Sequence, residues 1–191
     1  MLTVVQGGQT GVDRGAHEAA IDNGWSVAGY MPCDGRDELG KIPDAVARFL
    51  TAHDKTHYVA RTAANVQMAN ALLIVVHDAT DPRATPGTAK TIDLATGRHL
   101  HRLIVDPKFD PARIARWIWG DLLKMMTTLP LPLLGEPLDP APTRLLVAGP
   151  RESKWRGAQV ATAGLLRQVA RDLAEIARGT DPKGDLPQAP R

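Results

Sequence analysis

Two stretches, one near each end of the chain, share a layout that few folds accommodate: a short apolar run, a glycine-bearing polar turn, then residues at helical spacing. Leu2-Thr3-Val4-Val5 runs into Gln6-Gly7-Gly8-Gln9-Thr10-Gly11, after which Val12, Ala16, Ala19 and Ala20 recur with a helical period up to Asn23-Gly24. Arg144-Leu145-Leu146-Val147-Ala148 runs into Gly149-Pro150-Arg151-Glu152-Ser153, followed by Ala158, Ala161, Leu165, Val169, Leu173 and Ile176. A strand that leaves through a glycine turn into a helix is the opening half of a βαβ unit. Its recurrence predicts an α/β fold with a parallel sheet and ligand sites beyond the carboxyl ends of the strands.

The intervening sequence continues the alternation. Trp25 to Gly29 reads as a strand, residues 32–43 as a long polar loop, Thr56 to Ala60 as a short strand, and Arg61 to Asn70 as a helix. Ala71 to Val76 is apolar without a break, as a strand covered on both faces must be. His77 to Gly87 is a polar loop, Thr88 to Thr96 a helix closed by Gly97, and Leu100 to Val105 a further strand. Pro111 to Thr128 reads as a helix with Ile114, Trp117, Ile118, Leu122 and Met125 on one side. The Pro-rich stretch 129–142 reads as a crossover connection, so residues 1–178 are expected to form one domain and residues 179–191 a disordered tail.

Composition removes several classes of function. Seventeen Gly and fifteen Pro among 191 residues are too many for a helix bundle, yet they show no collagen period. A formal net charge of +2 is too small for a general nucleic-acid binder. No apolar run is long enough to span a membrane and no signal-peptide pattern opens the chain, so a cytoplasmic protein is expected. A single cysteine, Cys33, makes neither a disulfide nor a multi-Cys zinc site. His99 and His101 lack an assignable third ligand, so no metal site is expected.

Four loops fall on the expected carboxyl edge: Gly7 to Asp13, Asp34 to Arg36, Thr85 to Thr88, and Gly149 to Ser153. Each places a glycine beside a hydroxyl or a charge, at or near a helix start, where free amides and the helix dipole attract anions. Thr10, Thr88 and Ser153 can donate from their hydroxyls, and Arg36, Arg61 or Arg151 can supply bidentate contacts to a phosphate. With Arg14 and Arg83, these arginines make a local positive site that the near-neutral total conceals. Gly7-Gly8-Gln9-Thr10-Gly11 matches neither the dinucleotide fingerprint nor the phosphate loop that ends in Gly-Lys-Ser/Thr. Asp13 lies three residues after Thr10, which suits either helix capping or ligand contact. Glu152 can orient Arg151, touch a ligand, or remain an exposed loop charge.

Residues 7–15 and 146–154 together resemble the Putative molybdenum carrier family, the circularly permuted YpsA-type group of the SLOG superfamily. Pro32 with Gly35-Arg36, Gly40, Ile42-Pro43, Arg61-Thr62, Asn65-Val66 and Gly87-Thr88 are supporting matches. The resemblance implies a circularly permuted Rossmann-like domain with helices on both faces, the last strand inserted centrally beside the first. It implies a homo-oligomer, a dimer or tetramer, and a small-molecule pocket formed by Gly7, Gly8, Gln9, Thr10, Gly11, Asp13, Gly35, Arg36, Arg61, Asn65, Gly87, Thr88, Gly149, Pro150, Arg151, Glu152 and Ser153. The implied cargo is the molybdenum cofactor or a nucleotide, with no cofactor required for folding. Cys33 and Asn70 stand where the family carries Lys and Asp. In the related cytokinin-activating LOG hydrolases, a Pro-Gly-Gly-x-Gly-Thr-x-x-Glu motif supplies a glutamate. Thr91 stands at that position here, which favours binding over cleavage of a nucleoside 5′-monophosphate. The reading from sequence is therefore a carrier of a phosphate-bearing ligand, with an N-glycoside hydrolase or a nucleotide-sensing module as the alternatives.

Overall fold

The computed structural model describes residues 2–55, 58–128 and 143–179. The strands of the main sheet are β1 (Leu2–Val5), β2 (Ser26–Ala28), β7 (Ala71–Val75), β8 (His101–Val105) and β9 (Thr143–Ala148). Among the described residues six helices accompany them: α1 (Val12–Asp22), α2 (Asp44–Ala47), α3 (Tyr58–Met68), α4 (Pro86–Gly97), α5 (Pro111–Thr128) and α6 (Ala158–Ala177). Two small ribbons lie between β2 and α3: β3 (Tyr30–Met31) pairs with β6 (Thr51–Ala52), and β4 (Arg36–Asp37) with β5 (Gly40–Lys41).

The main sheet has the order β2-β1-β9-β7-β8, and every pairing in it is parallel. The strand that comes last among the described residues therefore sits between the first and the third strand of the sheet, β1 and β7. Counted from β9 as strand one, the order becomes 3-2-1-4-5, that of a doubly wound Rossmann sheet. The permutation is thus a matter of where the chain is cut, and the switch point falls between β9 and β7.

Alternate residues of the central strands feed two cores, as strands buried on both faces must. Val4, Leu73, Val75, Leu145 and Val147 pack under α1, α5 and α6, with Val12, Ala16, Ile114, Ile118, Leu166 and Val169. Val5, Leu72, Ile74, Leu146 and Ala148 pack with Val66, Ile92 and Ala95 of α3 and α4. α1 and α6 approach closely because Gly15 lacks a side chain; a Cβ there would lie 2.3 Å from the Gln159 carbonyl oxygen.

Two expectations are corrected. The polar loop 32–43 contains the antiparallel ribbon β4–β5, with Gly35 at φ 62° and Gly40 at φ 123°. Residues 58–60 open helix α3 instead of continuing a strand, and Thr56 and His57 lie outside the described residues. Tyr58 and Val59 favour strands locally, but they are exposed, whereas Asn65 and Val66 of the same helix are buried and set its conformation. The expected crossover 129–142 and tail residues 180–191 also lie outside the described residues. Among the described residues no helix is long and apolar enough to cross a membrane.

Candidate functional site

A cavity of about 450 Å³ opens at the carboxyl edge of the sheet, around the switch point. Gly7 and Gln9 from the turn after β1 line it, with Gly149, Pro150 and Arg151 after β9, Arg61 and Asn65 from α3, and Gly87 and Thr88 from α4. Asp13 of α1 completes the set of expected residues that meet there. Gly149 lets β9 leave the sheet against β7: a Cβ at this position would stand 2.1 Å from the Val75 carbonyl oxygen. Gly7 serves a different purpose, because its missing side chain leaves the space that the Arg61 guanidinium fills. A Cβ there would be 1.7 Å from Nη1.

Arg61 and Asp13 form the charged centre of the cavity wall. Nη1 of Arg61 lies 3.8 Å from Oδ2 of Asp13, and both side chains are only 12% exposed. The same Asp13 oxygen accepts hydrogen bonds from the Gly7 amide at 3.0 Å and the Gln9 amide at 3.2 Å. Burial raises the Asp13 carboxyl above its ordinary pKa, and the opposing pull of Arg61, the two amides and Arg14 does not cancel it. Nε of Arg61 is buried without a hydrogen-bond partner among the described residues, which native structures rarely tolerate for a charged group. Asn65 lines the same cavity but directs its amide to β3, accepting from Tyr30 N at 2.7 Å and donating to Tyr30 O at 3.1 Å.

The first turn of α4 forms another wall. Thr85 caps it by accepting from the Thr88 amide at 3.4 Å, and the two hydroxyls lie 2.8 Å apart. Pro86, Gly87, Thr88 and Thr91 all face the cavity, so the positive end of the helix dipole is turned toward it. Thr91 donates its hydroxyl to the Gly87 carbonyl at 3.1 Å, closing this turn on itself.

The starts of α1 and α6, which follow the two glycine turns, find partners within the protein. The first amide of α1, Val12 N, donates to the Pro150 carbonyl at 3.2 Å, tying one glycine turn to the other. No side chain caps α1 at Gly11, and Asp13 folds back over the Gly7 to Gln9 turn, so the expected Thr10–Asp13 capping box is not formed. The backbone explains this: Gly11 adopts φ 73°, and a Cβ there would lie 2.6 Å from the Pro150 oxygen. Glu152 caps α6, accepting from the Gly157 amide and from the Gln159 amide at 3.2 Å.

Thr10, Arg151 and Ser153 converge on Glu38, a residue that sequence reasoning overlooked inside the long polar loop. The hydroxyls of Thr10 and Ser153 donate to its carboxylate, Ser153 N donates at 3.1 Å, and Nε of Arg151 lies 3.3 Å away. Burial pushes the Glu38 carboxyl up, but the bonds from Ser153 and Thr10 and the Arg151 charge outweigh it, and its pKa is lowered. Gly35 and Arg36 sit on the ribbon away from the cavity lining, with Arg36 exposed, and Gly8 packs toward Ile42 and Leu50. Of the other arginines, Arg14 pairs with Asp37 at 2.5 Å and Arg83 with Asp93 at 2.5 Å. The lining also includes Tyr58, Thr62 and Lys154, absent from the expected set. The helical face shared by Tyr58, Arg61, Thr62 and Asn65 was the signal that a later helix start concealed.

Residues 4–128 match the circularly permutated YpsA SLOG family. The crystal structure of a Putative molybdenum carrier protein from Syntrophus aciditrophicus is similar, with a TM-score of 0.70 and 25% sequence identity over 88% of this chain and 94% of that one. No curated protein sequence matches the chain.

Proposed function

The chain belongs to the circularly permutated YpsA SLOG family, and from that premise we propose that it binds and carries a phosphate-bearing small molecule, the molybdenum cofactor before a nucleotide. One observation carries the reading: a buried arginine at the switch-point cavity, Arg61, whose Nε has no hydrogen-bond partner among the described residues. A phosphate oxygen supplies the missing acceptor, and the adjoining α4 start adds favourable dipole charge. The cavity volume of about 450 Å³ falls in the range of small-molecule sites. Arg61 with the Gly87-Thr88 turn would hold the phosphate, while Gly7, Gln9 and Gly149 let the backbone approach the rest of the cargo. The similarity to the carrier protein supports taking the molybdenum cofactor as the first candidate.

Hydrolysis is the less favoured reading because the carboxylates near the site are committed elsewhere. Glu152 caps α6, Glu38 is held by the two glycine turns, and Asp13 accepts two amides beside Arg61. Calorimetry and thermal melting with molybdenum cofactor, AMP and related nucleotides test the proposal. A ligand at about one hundred times its Kd stabilises the fold by about 2.7 kcal/mol, an effect that Arg61→Ala is expected to remove. Absence of heat and of a melting shift with every compound overturns it. Release of free base from AMP would instead support the hydrolase.

A further inference from the structure

Glu38 is bound by its own chain in the way that proteins bind a ligand anion. It sits in the two-residue turn of the β4–β5 ribbon, and its carboxylate reaches into a nest built by the turns after β1 and β9. Oε1 accepts the Thr10 hydroxyl and the Ser153 amide, while Oε2 accepts the Ser153 hydroxyl and lies 3.3 Å from Arg151 Nε. A main-chain amide, two hydroxyls and a guanidinium on one anionic group form a donor set suited equally to phosphate oxygens. The nest adjoins the cavity, since Arg151 lines both, and Gln9, also on the cavity wall, accepts the Glu38 amide at 3.3 Å.

The donors and the acceptor belong to parts of different standing. Thr10 and Ser153 follow strands at the centre of the sheet, and their turns are locked together by Val12 N to Pro150 O and by Glu152 N to Thr10 Oγ1 at 3.2 Å. Glu38 rides on a ribbon of two-residue strands whose tip residue, Leu39, is 83% exposed. The Asp37–Arg14 pair anchors that ribbon beside its turn, independently of the Glu38 carboxylate. The carboxylate can therefore leave while the ribbon stays attached.

We propose that Thr10, Arg151 and Ser153 form a second anion subsite at the cavity rim, closed here by Glu38 and open to the second anionic group of a diphosphate-type ligand. The inference rests on the reading of the cavity as a phosphate site and narrows its ligand to molecules with two anionic groups. A ligand anion entering the nest must displace Glu38, so its apparent affinity is lowered by the fraction of time the nest is closed.

Inorganic phosphate and pyrophosphate, titrated calorimetrically into the full chain, test this. Glu38→Gln keeps the shape and removes the competing charge, and is expected to bind pyrophosphate about tenfold more tightly while phosphate changes by less than about twofold. Adding Ser153→Ala to Glu38→Gln should abolish the gain, which separates a vacated subsite from a general change in charge. Equal or weaker pyrophosphate binding by Glu38→Gln overturns the proposal, as does a gain that survives Ser153→Ala. Hydrogen exchange on the wild-type chain gives an independent reading. Saturating pyrophosphate should accelerate exchange at the turn residues Glu38 and Leu39, which the carboxylate pins, and unchanged or slower exchange there counts against displacement. Arg61→Ala separates this proposal from its premise: phosphate binding that survives it removes the cavity reading, whereas the response to Glu38→Gln decides the rim.

Discussion

Gly7 and Arg61 make one device out of two residues. The guanidinium occupies the volume that any side chain at position 7 would need. The obstructing atoms belong to the end of a flexible side chain, so Gly7→Ala should alter stability by less than about 1 kcal/mol while moving the guanidinium off the cavity wall. Ligand affinity is then expected to fall nearly as far as in Arg61→Ala. There the loss of a charge-assisted bond worth about 1.5–3 kcal/mol weakens binding by roughly ten- to a hundredfold. Melting and titration of both variants check the separation; a Gly7→Ala chain that melts early but binds normally would contradict it. Asp13 gives a pH signature. A carboxyl raised by burial binds its proton more tightly folded than unfolded, so its stabilising contribution is complete below about pH 3.8 and is lost as pH rises through the folded value. The melting temperature of Asp13→Asn relative to wild type should therefore climb from acid toward neutral pH. A gap that stays flat or narrows would show that the carboxyl is not raised.

At the scale of elements, the ends of the helices distinguish architecture from function. Glycine turns precede α1 and α6, but the Pro150 carbonyl takes the first amide of α1 and the Glu152 side chain caps α6, whereas Pro86, Gly87 and Thr88 in the first turn of α4 line the cavity. Glu152→Ala removes a cap and should destabilise the fold by about 1 kcal/mol, with ligand affinity unchanged. Denaturation and calorimetry on the same preparation would expose a ligand role if affinity fell instead. Gly15→Ala acts between elements. Its methyl group meets the rigid Gln159 carbonyl of α6, so α1 and α6 must separate at a cost of about 1–3 kcal/mol. Urea denaturation measures that cost, and an unchanged midpoint would mean that the helix crossing yields freely.

The whole molecule is a Rossmann sheet entered one unit late. β9 and α6 stand where the first βα unit of that topology stands, with β9 between β1 and β7 and α6 packed beside α1. Joining residue 191 to Leu2 and opening the chain within 129–142 would turn β9–α6–β1 into an ordinary parallel crossover. The rearranged chain is expected to fold to the same sheet, with an unchanged circular dichroism spectrum and ligand affinity within about twofold. Failure to fold would assign an essential role to the present order of connection.

Local chemistry made the framework legible. The unbroken run from Ala71 to Val75 had to be covered on both faces, and the two strand-turn-helix patterns implied parallel neighbours. The family resemblance carried by the glycine motifs added the central insertion of the last strand. Polar pairing across the fold was hidden, because partners that lie far apart along the chain leave no periodicity. Glu38 meets Ser153, and Arg61 meets Gly7 and Asp13, only after the sheet has brought their elements together. The sequence by itself determined the layers and the kind of edge on which a ligand would bind, since backbone geometry and hydrophobic period act over a few residues. Tertiary structure alone decided which of the anion-attracting groups the protein satisfies internally and which it leaves to face a ligand, because hydrogen bonding depends on distances set by packing.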